Sequence, residues 1–237
     1  MSDKIIMQEH KMGQDAAIYH QGAWTYELFC RAEDAPGHVA NYLSQELCGK
    51  DVLDVGCGTG RYLNLLAPFV RGYIGLDCSA DQLAIARKKA EAEIHQNTVL
   101  IHRTAEQSGL PPQWVDACLA TWVIESIRDP VAQERALAEM NRVLRRPGSV
   151  YVVENSGDSE FEDIIRREPD ISTTKQTKSW LLNQGFEQMK TIESYFLFPS
   201  RDQARNVFSS IWGEGIANRI TDRKINQTIN IYRRIFP

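Results

Sequence analysis

The sequence predicts an α/β protein built on a doubly wound, mostly parallel sheet of seven strands, with an antiparallel edge and an N-terminal helical extension. Short apolar runs of strand length alternate with stretches of helix length between about residues 50 and 155. Parallel strands need crossover connections, and helices between strands provide them. Two further segments with strand character follow near the C-terminus, where they are expected to complete one edge of the sheet.

Each strand is predicted from an apolar run that ends at a turn signal, and each helix from an apolar face repeating every three to four residues. The predicted strands are 51–55, 73–76, 98–102, 116–121, 149–154, 186–198 and 228–235. The predicted helices are 38–47, 61–69, about 79–94, 131–144, about 175–183 and 201–220. Residues 145–148 are predicted to stop a helix and form a turn, because Pro147 and Gly148 disfavour both helix and regular strand.

Composition narrows the class of protein and its partners. The chain has 237 residues, 43% of them apolar and 24% charged, with a net charge of −4. These are values of an ordinary globular protein, and they give no support to a nucleic acid partner. No apolar run approaches the roughly 18–20 residues that span a bilayer. We therefore expect no membrane insertion, and a nucleic acid partner is not favoured, although the charge does not exclude one.

The five cysteines are an odd number, and no two of them form a C-x-x-C pair. In the absence of an evident secretory signal, this pattern is typical of reduced thiols in the cytoplasm. It also argues against a structural zinc site, so no bound metal is expected.

A glycine loop carries the strongest functional signal. The segment Val52–Arg61 reads V-L-D-V-G-C-G-T-G-R, a strand that enters three alternating glycines and then a helix. Glycines let the backbone approach a ligand closely, and the free N–H groups of the next helix point to the same place. Asp54 lies just before the loop and Asp77 ends the next strand, where such folds bind ribose hydroxyls. The Gly-x-Gly-x-Gly spacing and Asp54 favour a nucleoside with a cationic group over a pyrophosphate.

Four segments in this order resemble class I S-adenosylmethionine-dependent methyltransferases, in particular the small type 11/25-like enzymes. They are Val52–Gly60, Gly75–Ser79, Asp116–Pro130 and Met140–Gly148, with Trp180–Phe186 matching a later helix of the family. The resemblance covers roughly residues 38–155. It implies a Rossmann-like fold, S-adenosylmethionine as cofactor, and methyl transfer to an oxygen, nitrogen or carbon atom of a small molecule. It does not specify the acceptor.

The same resemblance assigns the cofactor-binding residues. The methionine part would lie against Asp54 and the glycine loop, and the ribose would bind Asp77. The adenine would lie beside Cys78 and the loop after the third strand, and the acceptor side would follow the fourth strand. The residues implied are Asp54, Gly56, Cys57, Gly58, Thr59, Gly60, Asp77, Cys78, Thr104, Ala105, Glu106, Thr121 and Trp122.

The sulfonium of this cofactor already activates the methyl group, so catalysis would consist mainly of positioning. A general base is needed only where the acceptor must lose a proton. His20 and Glu125 are the candidates for that role, while Ser126 stands where the family often has a histidine.

The sequence further predicts one domain over 1–237. It would consist of a helical cap (1–49), a cofactor-binding core (50–155) and a part that completes the sheet and supplies acceptor-side elements (156–237). The aromatic side chains near Trp24 are expected in the core rather than in an acceptor pocket. A lid formed by residues 1–35 remains a hypothesis.

Two other functions stay open. The chain could methylate RNA or protein, since a modest docking surface needs no strong charge, or it could bind the cofactor without catalysis. A short-chain dehydrogenase is disfavoured, because no tyrosine is followed by lysine four residues later. Methylation of DNA base amines would need an Asn/Asp-Pro-Pro-aromatic turn, which residues 120–123 do not form.

Overall fold

A computed structural model describes residues 22–93, 96–166 and 173–237. Its helices are α1 (Ala23–Ala32), α2 (His38–Glu46), α3 (Arg61–Leu66), α4 (Ala80–Glu93), α5 (Pro130–Val143), α6 (Glu160–Ile165), α7 (Thr173–Asn183), α8 (Arg201–Trp212) and α9 (Glu214–Ala217). Its strands are β1 (Asp51–Val55), β2 (Gly72–Asp77), β3 (Thr98–His102), β4 (Val115–Thr121), β5 (Leu144–Asn155), β6 (Glu187–Leu197) and β7 (Lys224–Phe236).

All seven strands form one sheet in the order β3-β2-β1-β4-β5-β7-β6. The strands from β3 to β5 pair in parallel, whereas β7 runs antiparallel to both β5 and β6. The predicted fold class is therefore confirmed, with the antiparallel strand next to the edge and β6 outermost. The division of the chain into a cap, a core and a completing part stays a prediction.

Alternating side chains of the central strands pack on opposite faces of the sheet, as the two-residue period of a strand requires. On one face, Val52 and Tyr151 belong to a cluster that includes the apolar sides of α2 and α3. On the other, Leu53 and Val150 belong to a cluster that includes α5 and α7. Because both faces are covered, these strands are continuously apolar, which is the pattern that predicted them.

A third cluster, rich in aromatic rings, joins α1 to α6, α8 and β6. Phe29 of α1 lies 4.8 Å from Phe196 of β6, measured between ring centroids, and 6.1 Å from Phe161 of α6. Phe29 is thus a core residue, as expected, and Tyr26 packs beside it. Trp24 departs from that expectation, because its side chain points outward and is 62% exposed.

Several boundaries differ from the sequence prediction, three of them by four residues or more. The residues predicted as a turn, 145–148, lie inside β5, where the pairing with β4 shifts register between Val115 and Ala117. They form an irregularity within a strand that begins earlier, at Leu144. The helix predicted over 201–220 is broken at Gly213, whose φ of +89° is incompatible with a continuing helix. The last strand is longer than predicted, because β7 pairs with two neighbours along most of its length.

Across the described ranges, no helix combines the length and the apolar character needed to cross a membrane. Within the same ranges, no three or more acidic, histidine or cysteine side chains are grouped as a metal site would need.

Candidate cofactor and acceptor site

The predicted site residues meet at the carboxyl edge of the sheet. β1 ends at Val55, β2 at Asp77 and β4 at Thr121, and the three strands are hydrogen-bonded neighbours. In open α/β sheets, ligands bind beyond this edge. A separate cavity of about 180 Å³, lined in part by Asp51 and Trp114, lies at the opposite edge. It contains none of the predicted site residues.

The glycine loop that joins β1 to α3 needs glycine for its backbone conformation. Gly56, Gly58 and Gly60 all have positive φ, at +69°, +57° and +75°. A Cβ on Gly56 would also lie 2.5 Å from Cγ2 of Val123, which follows β4. At this position the glycine is therefore required by its dihedral angle and by packing within the chain, in addition to any approach of a ligand.

Asp77 lies at the end of β2 with its carboxylate against the glycine loop. Its Oδ2 accepts a hydrogen bond from the backbone N–H of Gly58 at 2.8 Å, and its Oδ1 accepts one from the N–H of Ser79 at 2.8 Å. A carboxylate has about four lone-pair sites, so a group of this kind can accept hydrogen bonds from several donors. Asp77 is 8% exposed, at the edge of the buried region.

Asp54 is buried on β1, one strand away. The hydroxyl of Tyr73 donates a hydrogen bond to its Oδ2, while no donor among the described residues reaches its Oδ1. Burial raises the pKa of Asp54 to about 7, and the nearby Asp77 charge adds to this rise, whereas the Tyr73 hydrogen bond opposes it. A cationic or hydrogen-donating ligand would therefore stabilise the ionised form of this carboxyl group.

Two other loop residues are buried. Cys57 packs its sulfur against Gly75, where a Cβ would lie 2.9 Å from Sγ. Burial raises the pKa of this thiol well above its ordinary value. The cysteine therefore fills space rather than providing a thiolate. Thr59, in the same loop, is 1% exposed.

The residues predicted to flank adenine lie together beside the end of β2. The N–H of Arg103 donates to the backbone oxygen of Asp77 at 3.1 Å, which holds the loop after β3 against β2. In that loop Thr104 is exposed, while Ala105 and Glu106 are half-buried. Cys78 is exposed, and burial of part of its side chain, together with the Asp77 charge, raises its pKa to about 11.

On the other side of the glycine loop, Thr121 ends β4 and Trp122 directly follows it, and both are half-buried. The Trp122 ring lies parallel to Tyr62, with centroids 6.4 Å apart, and the guanidinium of Arg61 lies 5.4 Å from its centroid. Trp122 has a φ of +55°, a conformation that is uncommon for a bulky residue. The backbone thus turns sharply here, where the resemblance implies that the methionine side of the cofactor faces the acceptor.

Sequence reasoning missed a set of polar residues around Trp122. Arg61 forms an ion pair with Glu33 of the N-terminal extension and also bonds its backbone oxygen. Gln227 of β7 donates to Glu33 and to Asn155 of β5. These residues lie far apart in the sequence, so only the sheet order brings them together. Arg61 alone carried a signal, since it directly follows the last loop glycine.

The two candidate bases have different outcomes. His20 lies outside the described residues. Glu125 is half-buried, and its Oε1 accepts a hydrogen bond from Thr174 of α7 at 3.0 Å, while its N–H donates to Glu154. A catalytic role for either residue stays a prediction.

The residues present fit the cofactor implied by the resemblance. Asp54 offers a buried oxygen without a donor, Asp77 offers a carboxylate at the end of the neighbouring strand, and the loop between them exposes backbone rather than side chains. The charge of Asp77 also raises the pKa of Asp54, so the two carboxyl groups are close enough to interact. This arrangement suits a nucleoside whose other end carries positive charge.

Known proteins that are similar to this chain indicate the kind of domain it contains. Residues 53–152 match the model of a methyltransferase domain family. The chain is 28% identical over 149 residues to a malonyl-[acyl-carrier protein] O-methyltransferase of Yersinia pestis, covering 63% of this chain and 52% of that protein. It is 36% identical over 107 residues to a phosphatidylethanolamine N-methyltransferase of Cereibacter sphaeroides, covering 44% and 50%. The chain spans between about half and two thirds of the curated relatives it matches first.

Solved structures share the fold at low sequence identity. A SAM-dependent methyltransferase from Aquifex aeolicus superposes with a TM-score of 0.56 at 16% identity, over 86% of this chain and 95% of that one. Family match, motif order and fold therefore agree: residues 53–152 are similar to a methyltransferase domain, in a chain with the fold of class I S-adenosylmethionine-dependent methyltransferases.

Proposed function

We propose that this protein transfers a methyl group from S-adenosylmethionine to an oxygen, nitrogen or carbon atom of a small molecule. One observation carries the proposal: Asp54 and Asp77 lie at the ends of adjacent strands, and Asp77 bonds the glycine loop between them. Relatives that are named as methyltransferases of acyl-carrier-bound, lipid and quinone compounds support the reaction type. They do not share one acceptor.

When bound, the cofactor would supply a sulfonium-activated methyl group. Asp77 would accept the ribose hydroxyls, and the backbone of the glycine loop would hold the methionine part. Asp54, once ionised, would offer its second oxygen to the cationic end. Thr121 and Trp122 would orient the acceptor in line with the methyl group, so that positioning lowers the barrier. Proximity of this kind can contribute on the order of 7–11 kcal/mol.

Calorimetric titration with S-adenosylmethionine and S-adenosylhomocysteine tests the binding step. Asp77→Ala should weaken binding of both by about 1.5–3 kcal/mol, the cost of hydrogen bonds to a charged group. Asp81→Ala, in the first turn of α4, is a matched control, and we expect no comparable loss. Unchanged affinity in the Asp77 variant would reject the assignment.

Incubation with a mixture of small metabolites and isotopically labelled S-adenosylmethionine tests the transfer step. A labelled product in mass spectrometry supports the enzyme. Binding of the cofactor without any labelled product would favour a cofactor-binding protein or a macromolecular target.

We also infer a cytoplasmic location, because all five cysteines are free of disulfides, as expected in a reducing compartment.

A further inference from the structure

A network of hydrogen-bonded side chains lies at the carboxyl end of β5, and of its members only Trp122 is among the predicted cofactor-binding residues. The indole N–H of Trp122 donates to Oδ1 of Asn155 at 3.0 Å. Nε2 of Gln227 donates to the same Oδ1 at 2.8 Å and to Oε1 of Glu33 at 3.1 Å. Glu33 is in turn ion-paired with Arg61.

The orientation of the Asn155 and Gln227 amides is determined by the groups on either side of them in this network, the Trp122 indole and the Glu33 carboxylate. An indole N–H can only donate, so Asn155 must direct its carbonyl oxygen to Trp122. A carboxylate paired with a guanidinium can only accept, so Gln227 must direct its NH₂ group to Glu33. Both N–H groups of Gln227 are therefore used, one on Asn155 and one on Glu33.

The remaining polar atom is the side-chain carbonyl oxygen of Gln227. The residue is 1% exposed, and no described residue places a donor within hydrogen-bond distance of this Oε1. Rotating the amide by half a turn would set the carbonyl against two acceptor oxygens. Buried carbonyl oxygens in proteins nearly always have a donor. This oxygen therefore needs a hydrogen-bond donor that the described part of the chain does not provide.

Gln227 lies on the acceptor side of the site. It belongs to β7, which is three strands from β1 in the order β1-β4-β5-β7. With strands about 4.8 Å apart, β7 is about 14 Å from the strand that carries Asp54. The proposed cofactor contacts lie on β1, β2 and their loops, with Trp122 between them and Gln227.

We propose that Gln227 determines acceptor specificity, with its buried carbonyl oxygen accepting a hydrogen bond from an O–H or N–H group of the acceptor. This inference rests on the proposed function and narrows its substrate class to hydroxyl- or amine-bearing molecules. A carboxylate in the same place would set its negative charge against the carbonyl oxygen, with Glu33 behind it. The site thus discriminates by an unfavourable contact as well as by a favourable one.

Simple aromatic probes test this substrate class before the acceptor itself is identified. The full chain, saturated with S-adenosylhomocysteine, is titrated with phenol, with anisole and with benzoate. The NMR signals of the Gln227 side-chain amide and the Trp122 indole N–H report binding. Phenol should shift both signals in a saturable manner. Anisole, which lacks the donor, and benzoate, which is charged, should bind at least about tenfold more weakly.

Gln227→Met retains an unbranched side chain but removes the carbonyl oxygen, together with the amide nitrogen that donates to Asn155 and Glu33. In this variant, phenol and anisole should bind equally weakly, while the affinity for S-adenosylhomocysteine changes by less than about twofold. The same substitution at the exposed Gln45 is the matched control and should preserve the preference for phenol. The comparison of the three probes on the unaltered chain does not depend on whether the variant folds.

The inference is overturned if anisole or benzoate binds as well as phenol, if no probe moves either signal, or if Gln227→Met retains the preference. Binding of S-adenosylhomocysteine with any of these results would overturn the inference alone. Absence of S-adenosylhomocysteine binding, measured by calorimetry on the same sample, would overturn the proposed function as well.

Discussion

From the burial of the Asp54 carboxyl group we predict how the stability of the folded chain depends on pH. Its pKa rises from 3.8 to about 7, mainly because burial disfavours the charged form. At about 1.4 kcal/mol per pKa unit, this shift corresponds to about 4 kcal/mol against the ionised group in the folded chain. Asp54→Asn removes the charge, yet its amide oxygen can still accept the hydrogen bond from Tyr73.

Proton linkage determines whether the stability of the folded chain rises or falls with pH. With a pKa that is higher in the folded state, the folded chain holds a proton that the unfolded chain has released between about pH 4 and pH 7. Stability of the unliganded wild type should therefore fall as the pH rises through this range. Asp54→Asn should be the more stable protein at about pH 8, by up to about 4 kcal/mol, with the advantage shrinking toward about pH 4.

Urea unfolding of both proteins across this pH range measures the difference directly. Calorimetric titration of S-adenosylhomocysteine in buffers of different ionisation enthalpy adds a second test. The wild type should release a proton on binding near pH 6, and Asp54→Asn should not, since any titration of the ligand itself is common to both. If the stabilities of the two proteins changed with pH to the same extent, the raised pKa of Asp54 and its proposed role in binding the cationic end of the cofactor would be wrong.

Two further predictions concern the scaffold of the site. Gly49 and Gly56 share a φ of +69°, but only Gly56 has a neighbour, Val123, within 4 Å of the position that a Cβ would occupy. Gly49→Ala should thus cost about 1–2 kcal/mol of unfolding free energy from its backbone alone. Gly56→Ala should cost about 1–3 kcal/mol more through overpacking, and equal losses in urea titrations would contradict the packing argument. At the opposite edge of the sheet, partial burial opposes the charge of Asp116, but the N–H of Asp51 and the Arg145 guanidinium hold its pKa below the ordinary value. Asp116→Asn should therefore cost about 1–3 kcal/mol near neutral pH, a difference that vanishes as acid protonates the wild type; a constant difference down to low pH would refute it.

Much of the fold could be predicted, and the proposed cofactor residues could be selected, because both signals are local. β1, the glycine loop and Asp77 lie within about thirty residues, and each has a requirement that restricts residue type: continuous apolar character, positive φ, or a charge at a strand end. The sequence analysis missed the register shift inside β5 and the break at Gly213. Proline and glycine indicate that a regular element is interrupted, but they do not distinguish a turn from an irregularity within a strand or from a break in a helix.

The acceptor side could not be predicted for a different reason. Glu33, Asn155 and Gln227 come from the N-terminal extension, from β5 and from β7, and they meet only because β7 inserts between β5 and β6. No short motif records that insertion. Tyr73 is similar, since its bond to Asp54 depends on the pairing of β1 with β2.

The N-terminal extension is attached to the site by charges rather than by apolar contacts alone. Glu33 pairs with Arg61 after the glycine loop, and Glu27 pairs with Lys89 of α4 at 2.6 Å. Both glutamates are buried. The desolvation free energy of a buried charge is about as large as the favourable energy of the ion pair, so these pairs add little net stability. Their effect is to favour one placement of α1, since a shifted helix would leave both charges buried without partners. Through Glu33, that placement also sets the orientation of Gln227, on which the proposed acceptor preference depends.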